Sequence, residues 1–209
     1  MPATDASVYA DPAAERLFTG ATVITFVRTL VSLGLCLAAA RDEDLTMLVI
    51  GLAVYWVGDM ADGGYARLRD CETRIGGVID IMCDRINCAG FYIGLVWIEP
   101  DLALPVAVYL FNFMVIDMFL SLAFLAWPIR SPNYFYVVDR RIYVWNWSKP
   151  AKAVNSSLFA VLLLVLRDWN VDVAFAVGLS IALALVVLKC VSLRWLFQLG
   201  LPVPERLPA

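Results

Sequence analysis

Six runs of apolar residues constrain this chain more than any other feature. They cover 21–40, 45–66, 75–98, 102–127, 153–167 with its flanks, and 171–193, and take up most of the 209 residues. A helix needs about 20 such residues to cross the hydrocarbon of a bilayer. Inside lipid every backbone N–H and C=O must be paired within the protein, which favours helices. The runs predict an all-α, polytopic membrane protein with six transmembrane helices in one bundle. Residues 1–20 are expected to form an N-terminal cytoplasmic or interfacial segment, 21–200 the helical domain and 201–209 a C-terminal tail. Within the first segment, 12–19 is expected to form a short interfacial helix. The chain does not open with a basic stretch, an apolar core and an Ala-x-Ala site, so no cleavable signal peptide is expected.

Composition excludes several classes. Apolar residues make up 62% and charged residues 17%, against about 45–50% and 25% in a soluble domain. The net charge of −3 provides no positive field for nucleic acid. There is no histidine, so Ser-His-Asp and Cys-His catalysis and His-ligated metals are ruled out, and proton transfer falls to carboxylates, Lys, Cys or Tyr. Cys36, Cys71, Cys83, Cys88 and Cys190 form no C-x-x-C pair and are expected to be small buried hydrophobes.

Charge placement predicts the orientation. The connections 41–44, 98–101 and 167–172 are mainly acidic, whereas the opposite set carries Arg67, Arg69, Arg74, Arg130, Arg140, Arg141, Lys149 and Lys152. The positive-inside rule then puts both termini in the cytoplasm. Trp127, Tyr134, Tyr136, Tyr143, Trp145 and Trp147 gather around the 128–150 connection, as expected for a segment lying at the inner interface.

Four carboxylates interrupt the apolar pattern. Asp59 and Asp62 lie near the end of the second run, and Asp80 and Asp84 near the start of the third. Each costs roughly 2.5–3.5 kcal/mol at a helix centre. The i, i+3 and i, i+4 spacings put each pair on one helical face. The short polar turn 67–75 makes the two helices antiparallel neighbours, so all four acids can converge. Three readings follow: a divalent metal site, an ion-pair network with Arg67, Arg69, Arg74 and Arg85, or a cation path. Oxygen ligands without His or Cys favour Mg²⁺, Mn²⁺ or Ca²⁺. Two such ions suit phosphoryl transfer. Gly58, Gly63, Gly64, Gly76 and Gly77 flank the acids and permit close approach of a ligand or helix.

The full spacing is Asp59-x-x-Asp62-Gly63-x-x-Ala66-Arg67, then eight residues, then Gly76-x-x-x-Asp80-x-x-x-Asp84. It resembles, at every position, the signature of the CDP-alcohol phosphotransferase (CDP-alcohol phosphatidyltransferase) family of integral membrane enzymes. The resemblance implies transfer of a phosphoalcohol group from a CDP-linked donor to a hydroxyl, with release of CMP, in a pocket open to the cytoplasm. It implies Asp59, Asp62, Asp80 and Asp84 as ligands of two divalent cations, Mg²⁺ or Mn²⁺, with Asp84 also the general base. Gly63, Ala66, Arg67 and Gly76 match positions packed against the CDP moiety. Thr22-x-x-Thr25-x-x-Arg28 resembles the family's Asn-x-x-Thr-x-x-Arg, which adds Thr25 and Arg28 to the donor side. Lys149-Pro-Ala-Lys152-Ala-Val-Asn155 resembles a degraded form of Gly-Lys-x-Lys-Thr-x-x-Gln, and makes Lys149, Lys152 and Asn155 the candidates for the acceptor.

Length and span number resemble members in which CDP-diacylglycerol donates to a water-soluble alcohol. The expected product is a phospholipid, and the expected acceptor glycerol 3-phosphate or inositol phosphate. The alternative arrangement has a CDP-linked polar alcohol donating to diacylglycerol. A cation transport protein is the distant alternative. The resemblance also implies a homodimer surrounded by membrane lipid in a bacterial inner membrane, and the net charge of −3 argues against a nucleic-acid partner. Asp117, in the fourth run, is expected to face the bundle or the dimer contact without a catalytic role, and Lys189 either to assist the site or to snorkel.

Overall fold

A computed structural model describes residues 8–202. The readings for the outermost residues of both tails lie outside the described residues. Helix α1 spans Gly20–Asp42, α2 Leu45–Leu68 and α3 Arg74–Ile98. Helix α4 is the span Pro100–Ala126, and α7 is Val171–Leu199. All five are long and apolar enough to cross a membrane. Between them lie a short helix α5, Arg140–Asn146, and a bent helix α6. Helix α6 joins Lys149–Asn155 to Phe159–Trp169 across a 41° bend, and counted as one span it makes the sixth. There is no β-strand among the described residues, and the helical membrane architecture agrees with the sequence.

Local chemistry sets the helix ends. Thr19 Oγ1 accepts from the Thr22 N–H at 3.2 Å to start α1. Glu43 closes that helix in the left-handed region (φ 53°), and its N–H bonds back to the Ala39 carbonyl. One residue on, Asp44 accepts from the Met47 N–H at 3.0 Å and starts α2. So tight a connection forces α1 and α2 to run antiparallel. Asp70 (φ 45°) turns the chain after α2, and Thr73 caps α3 through the Gly76 N–H.

Helix α1 is built inside out. Its buried residues include Thr22, Thr25, Arg28, Thr29, Ser32 and Cys36, while Val23, Val27, Leu30 and Leu37 are exposed. The polar stripe has helical spacing and faces α2 and α3. Ser32 donates to the Gly51 carbonyl of α2 at 2.9 Å, and Asn87 of α3 donates to Thr29 at 3.1 Å. Membrane helices associate through such small residues and hydrogen bonds, because lipid tails give no hydrophobic drive between helices.

The remaining helices pack around aromatic rings. Tyr109 stacks on Phe159 (4.3 Å between centroids) and lies 4.9 Å from Tyr92, where α3, α4 and α6 meet. At the end of the bundle carrying the arginine-rich connections, Phe135, Trp127 and Trp147 form a second cluster. Helix α4 contains a π-helical turn, Asn112–Asp117, and π-turns recur at functional or strained positions.

Two expectations need correction. Of the 12–19 segment, only Pro12–Ala14 is helical, as one 3-10 turn. The preceding residues pair in an extended manner instead, Tyr9 with Ile129, and Glu15 accepts from the N–H groups of Arg74 and Ile75 at the start of α3. These contacts to loop backbone compete with helix formation. Of the cysteines, Cys36, Cys83 and Cys88 are buried, Cys71 is half-buried and Cys190 is exposed, and all five are free thiols.

Candidate active site

The last turns of α2 and the first turns of α3 lie side by side, and the four acids converge there. Carboxylate oxygens of Asp59, Asp62 and Asp80 lie within 4.8 Å of one another. Asp84 stands outside that triad but shares its cation. Nη2 of Arg28 donates to Asp80 at 2.7 Å, to Asp84 at 3.0 Å and to Asp59 at 3.4 Å. Nε of the same guanidinium donates to Asp62 Oδ2 at 2.7 Å. Thr25, one turn earlier on α1, donates to that same oxygen at 2.7 Å.

Exposure divides the cluster. The Arg28 and Asp62 side chains are buried, at 3% and 4% exposed, whereas Asp59 is 43% and Asp80 39% exposed. The inner wall is closed and the outer acids are open to a ligand. All donor atoms are hard carboxylate oxygens with no nitrogen or sulfur among them, a set suited to Mg²⁺ or Mn²⁺. Four carboxylates against one guanidinium leave a surplus of three negative charges, which also favours divalent cations.

The alternative, an ion-pair network of these acids with Arg67, Arg69, Arg74 and Arg85, does not form in that way. Arg28 takes the acids. Arg69 lies over the Tyr65 ring, Arg74 donates to the Leu125 carbonyl and Arg85 pairs with Asp117. Arg67 folds back along its own helix, and a Cβ at Gly63 would stand 3.2 Å from its Nη1. Ala66 is buried, and Gly76 gives its N–H to Thr73.

The acceptor candidates divide. Lys152 is exposed and donates to Asn133 at 2.6 Å. Lys149 is exposed at the start of α6. Asn155 instead serves the fold: its side chain donates to the Trp145 carbonyl, and its own carbonyl accepts from Tyr109.

The turn between α2 and α3 is tied down from outside. Glu72 accepts from Ser131 at 3.0 Å and Tyr134 at 2.7 Å, and Asp70 pairs with Arg130 at 3.0 Å. Burial and the Glu72 carboxylate push the Tyr134 phenol above its ordinary range. Sequence reasoning missed these ties, and it missed two other elements. One is Tyr55, whose ring lies 5.4 Å from the Arg28 guanidinium. The other is a second buried network. Asp117 accepts from Arg85 and Lys189, both at 2.6 Å, Lys189 also donates to Asn146 at 2.8 Å, and Asn146 donates to Ser192 at 3.0 Å. Asp117 and Lys189 had been singled out, but only the packed helices reveal them as partners.

A family model described as CDP-alcohol phosphatidyltransferase matches residues 18–195. The chain belongs to that family. Among curated relatives, the phosphatidylinositol phosphate synthase of Mycobacterium tuberculosis (strain ATCC 25618 / H37Rv) is 43% identical over 53 residues, 24% of each chain. That of Mycobacteroides abscessus is 45% identical over 49 residues, 22% of each chain. The similarity therefore spans about a quarter of the relatives' length. No solved structure matches the chain.

Proposed function

We propose that the protein makes a phospholipid by transferring a phosphatidyl group from CDP-diacylglycerol to the hydroxyl of a polar alcohol, with release of CMP. The observation that carries this reading is the convergence of four motif aspartates on one half-open wall at the end of the bundle. Asp59, Asp62, Asp80 and Asp84 would hold two divalent cations, Mg²⁺ or Mn²⁺. When bound, these ions neutralise charge on the donor's phosphates and polarise the phosphorus under attack.

The chain's own residues supply the rest. Arg67 presents a planar fork toward the donor diphosphate, with Gly63, Ala66 and Gly76 on the donor side. Thr25 and Arg28 serve that side through Asp62, which both of them hold. Asp84 is the least exposed of the three outer acids and takes the acceptor proton as the acceptor oxygen bonds to the lipid-side phosphorus. The bond from that phosphorus to the CMP oxygen breaks in the same displacement. Lys149 and Lys152 meet the acceptor, and Asn155 shapes that wall through the backbone.

The names of the mycobacterial relatives favour inositol phosphate over glycerol 3-phosphate as the acceptor. We place the site and both termini on the cytoplasmic side of a bacterial inner membrane, with residues 21–200 as one domain in a homodimer.

The test is CMP release by purified protein in detergent with CDP-diacylglycerol, Mg²⁺ or Mn²⁺ and a panel of alcohols, with Asp84→Asn as control. Release that depends on inositol phosphate and vanishes in the variant is expected. Release only from a CDP-linked polar alcohol with diacylglycerol would reverse the donor assignment. Cation flux without any nucleotide dependence would replace the enzyme reading with transport.

A further inference from the structure

Arg28 sits in a place made for it. Its guanidinium touches all four acids, and two features of α2 hold its stem. Gly58 has no Cβ, and one placed there would stand 2.6 Å from both Cβ and Cδ of Arg28. The Tyr55 ring, three residues earlier on the same face, lies 5.4 Å from the guanidinium. Together they leave a slot one side chain wide, floored by an aromatic face and ending at the carboxylates. Nη1 has no hydrogen-bond partner among the described residues, so the acids engage the other two nitrogens.

The charges explain what such a slot does. Four carboxylates this close repel one another unless a cation lies between them. Arg28 is that cation in the protein chain itself. Its Nη2 also reaches Asp59 and Asp80, two of the three acids whose oxygens converge tightly enough to share an ion. A fixed positive charge at those oxygens raises the electrostatic cost of adding another.

We propose that Arg28 is a built-in counter-ion of the acid site: it holds the four carboxylates together in the ion-free protein and opposes the first divalent cation that binds. Arg28 is a positioning residue in this role and takes no part in bond making. Only the second half of the proposal rests on the metal reading given above. With two divalent cations bound, Arg28 leaves the site with one positive charge in excess, so a donor diphosphate completes the balance. Ion loading is thereby tied to arrival of the anionic donor.

Mn²⁺ titration calorimetry on the purified protein tests this, with thermal unfolding in chelator and in saturating Mn²⁺. The variants are Arg28→Gln, Arg28→Lys, Gly58→Ala and Asp80→Asn. Arg28→Gln is expected to bind Mn²⁺ about tenfold tighter or more, to unfold at a lower temperature in chelator, and to regain most of that loss in Mn²⁺. Folding of Arg28→Gln only when Mn²⁺ is present would be the same result in extreme form. Gly58→Ala displaces the guanidinium without removing it and should move both readouts the same way by less. Arg28→Lys keeps the charge but loses the second donor nitrogen, and should fall between wild type and Arg28→Gln in both readouts. Unchanged or weaker Mn²⁺ binding by Arg28→Gln, or an unaltered unfolding temperature in chelator, overturns the counter-ion role. Mn²⁺ binding that is absent from both wild type and Arg28→Gln, or that survives Asp80→Asn, overturns the metal reading instead, and unfolding in chelator then decides the first half alone.

Discussion

The molecule buries two clusters of charge, and they are opposites. The cluster at the α2–α3 end sets four aspartates against Arg28, with Asp59 and Asp80 about two-fifths exposed. The cluster among α3, α4 and α7 sets Arg85 and Lys189 against Asp117 alone, and none of the three side chains is more than 11% exposed. The first has a surplus of negative charge and an open wall. The second has its acid saturated by two cations and is closed. Ser121 and Asn146 use further donors and acceptors there, and Arg85 lies 3.7 Å over the Phe113 ring. An incomplete, half-open cluster is suited to chemistry. A complete and closed one is suited to holding helices in register.

Substitutions should separate the two. The largest effect expected is on turnover at the open cluster. Asp84→Asn removes the proposed base and should lower the rate of CMP release by about 100- to 10,000-fold, while the unfolding temperature in chelator holds or rises. Activity within tenfold of wild type would break the assignment.

Next comes Asp117→Asn in the closed cluster. It leaves two buried cations without their carboxylate, and the loss of stability should be about 3–5 kcal/mol, measured by unfolding in detergent. Lys189→Met should cost less, since Arg85 and Asp117 remain a neutral pair; the loss of its charged hydrogen bonds sets the scale at roughly 1.5–3 kcal/mol. Adding Lys189→Met to Asp117→Asn should then cost less than the sum of the two single changes. Additive losses would mean that the two side chains do not act as one network.

The smallest effect concerns Asp139, which caps α5 by accepting from the N–H groups of Arg141 and Ile142. Partial burial pushes its carboxyl upward, but the Arg141 guanidinium and the two backbone N–H groups outweigh that and hold it below the ordinary carboxylate range. A lowered folded pKa means that its stabilisation is present above the unfolded value, about 3.9, and is lost as pH falls through the folded one. Asp139→Ala should cost about 0.5–2 kcal/mol at neutral pH. That difference from wild type should shrink below about pH 4. A difference that stays constant with pH would show that the cap works without its charge.

Much of the open cluster was legible in the sequence because helical spacing and a short turn fix where Asp59, Asp62, Asp80 and Asp84 point. The role of Arg28 was not, since its partners come from two other helices and the decisive feature is the missing Cβ of Gly58. The signal was present in α1 as a polar stripe at 22, 25, 29, 32 and 36, running opposite to the pattern of a soluble helix. Asp117 and Lys189 were visible as anomalies, but 71 intervening positions hid their pairing. The π-turn in α4 and the bend in α6 lie inside apolar runs whose composition carries no mark of either. The N-terminal segment was misjudged because its polar groups pair with Pro128, Ile129 and the start of α3, contacts that local propensity does not contain.

The inside-out character of α1 bears on how the protein is made. This helix leaves the ribosome first among the described spans, carrying a guanidinium whose carboxylate partners follow 31 to 56 positions later. An unpaired arginine costs roughly 2.5–3.5 kcal/mol at a helix centre and less toward an end, so Arg28, in the third turn of α1, leaves that helix less stable in the bilayer until α2 and α3 join it. The first three helices should therefore enter the bilayer as one unit, and a ribosome stalled before α3 should leave α1 extractable by alkaline carbonate.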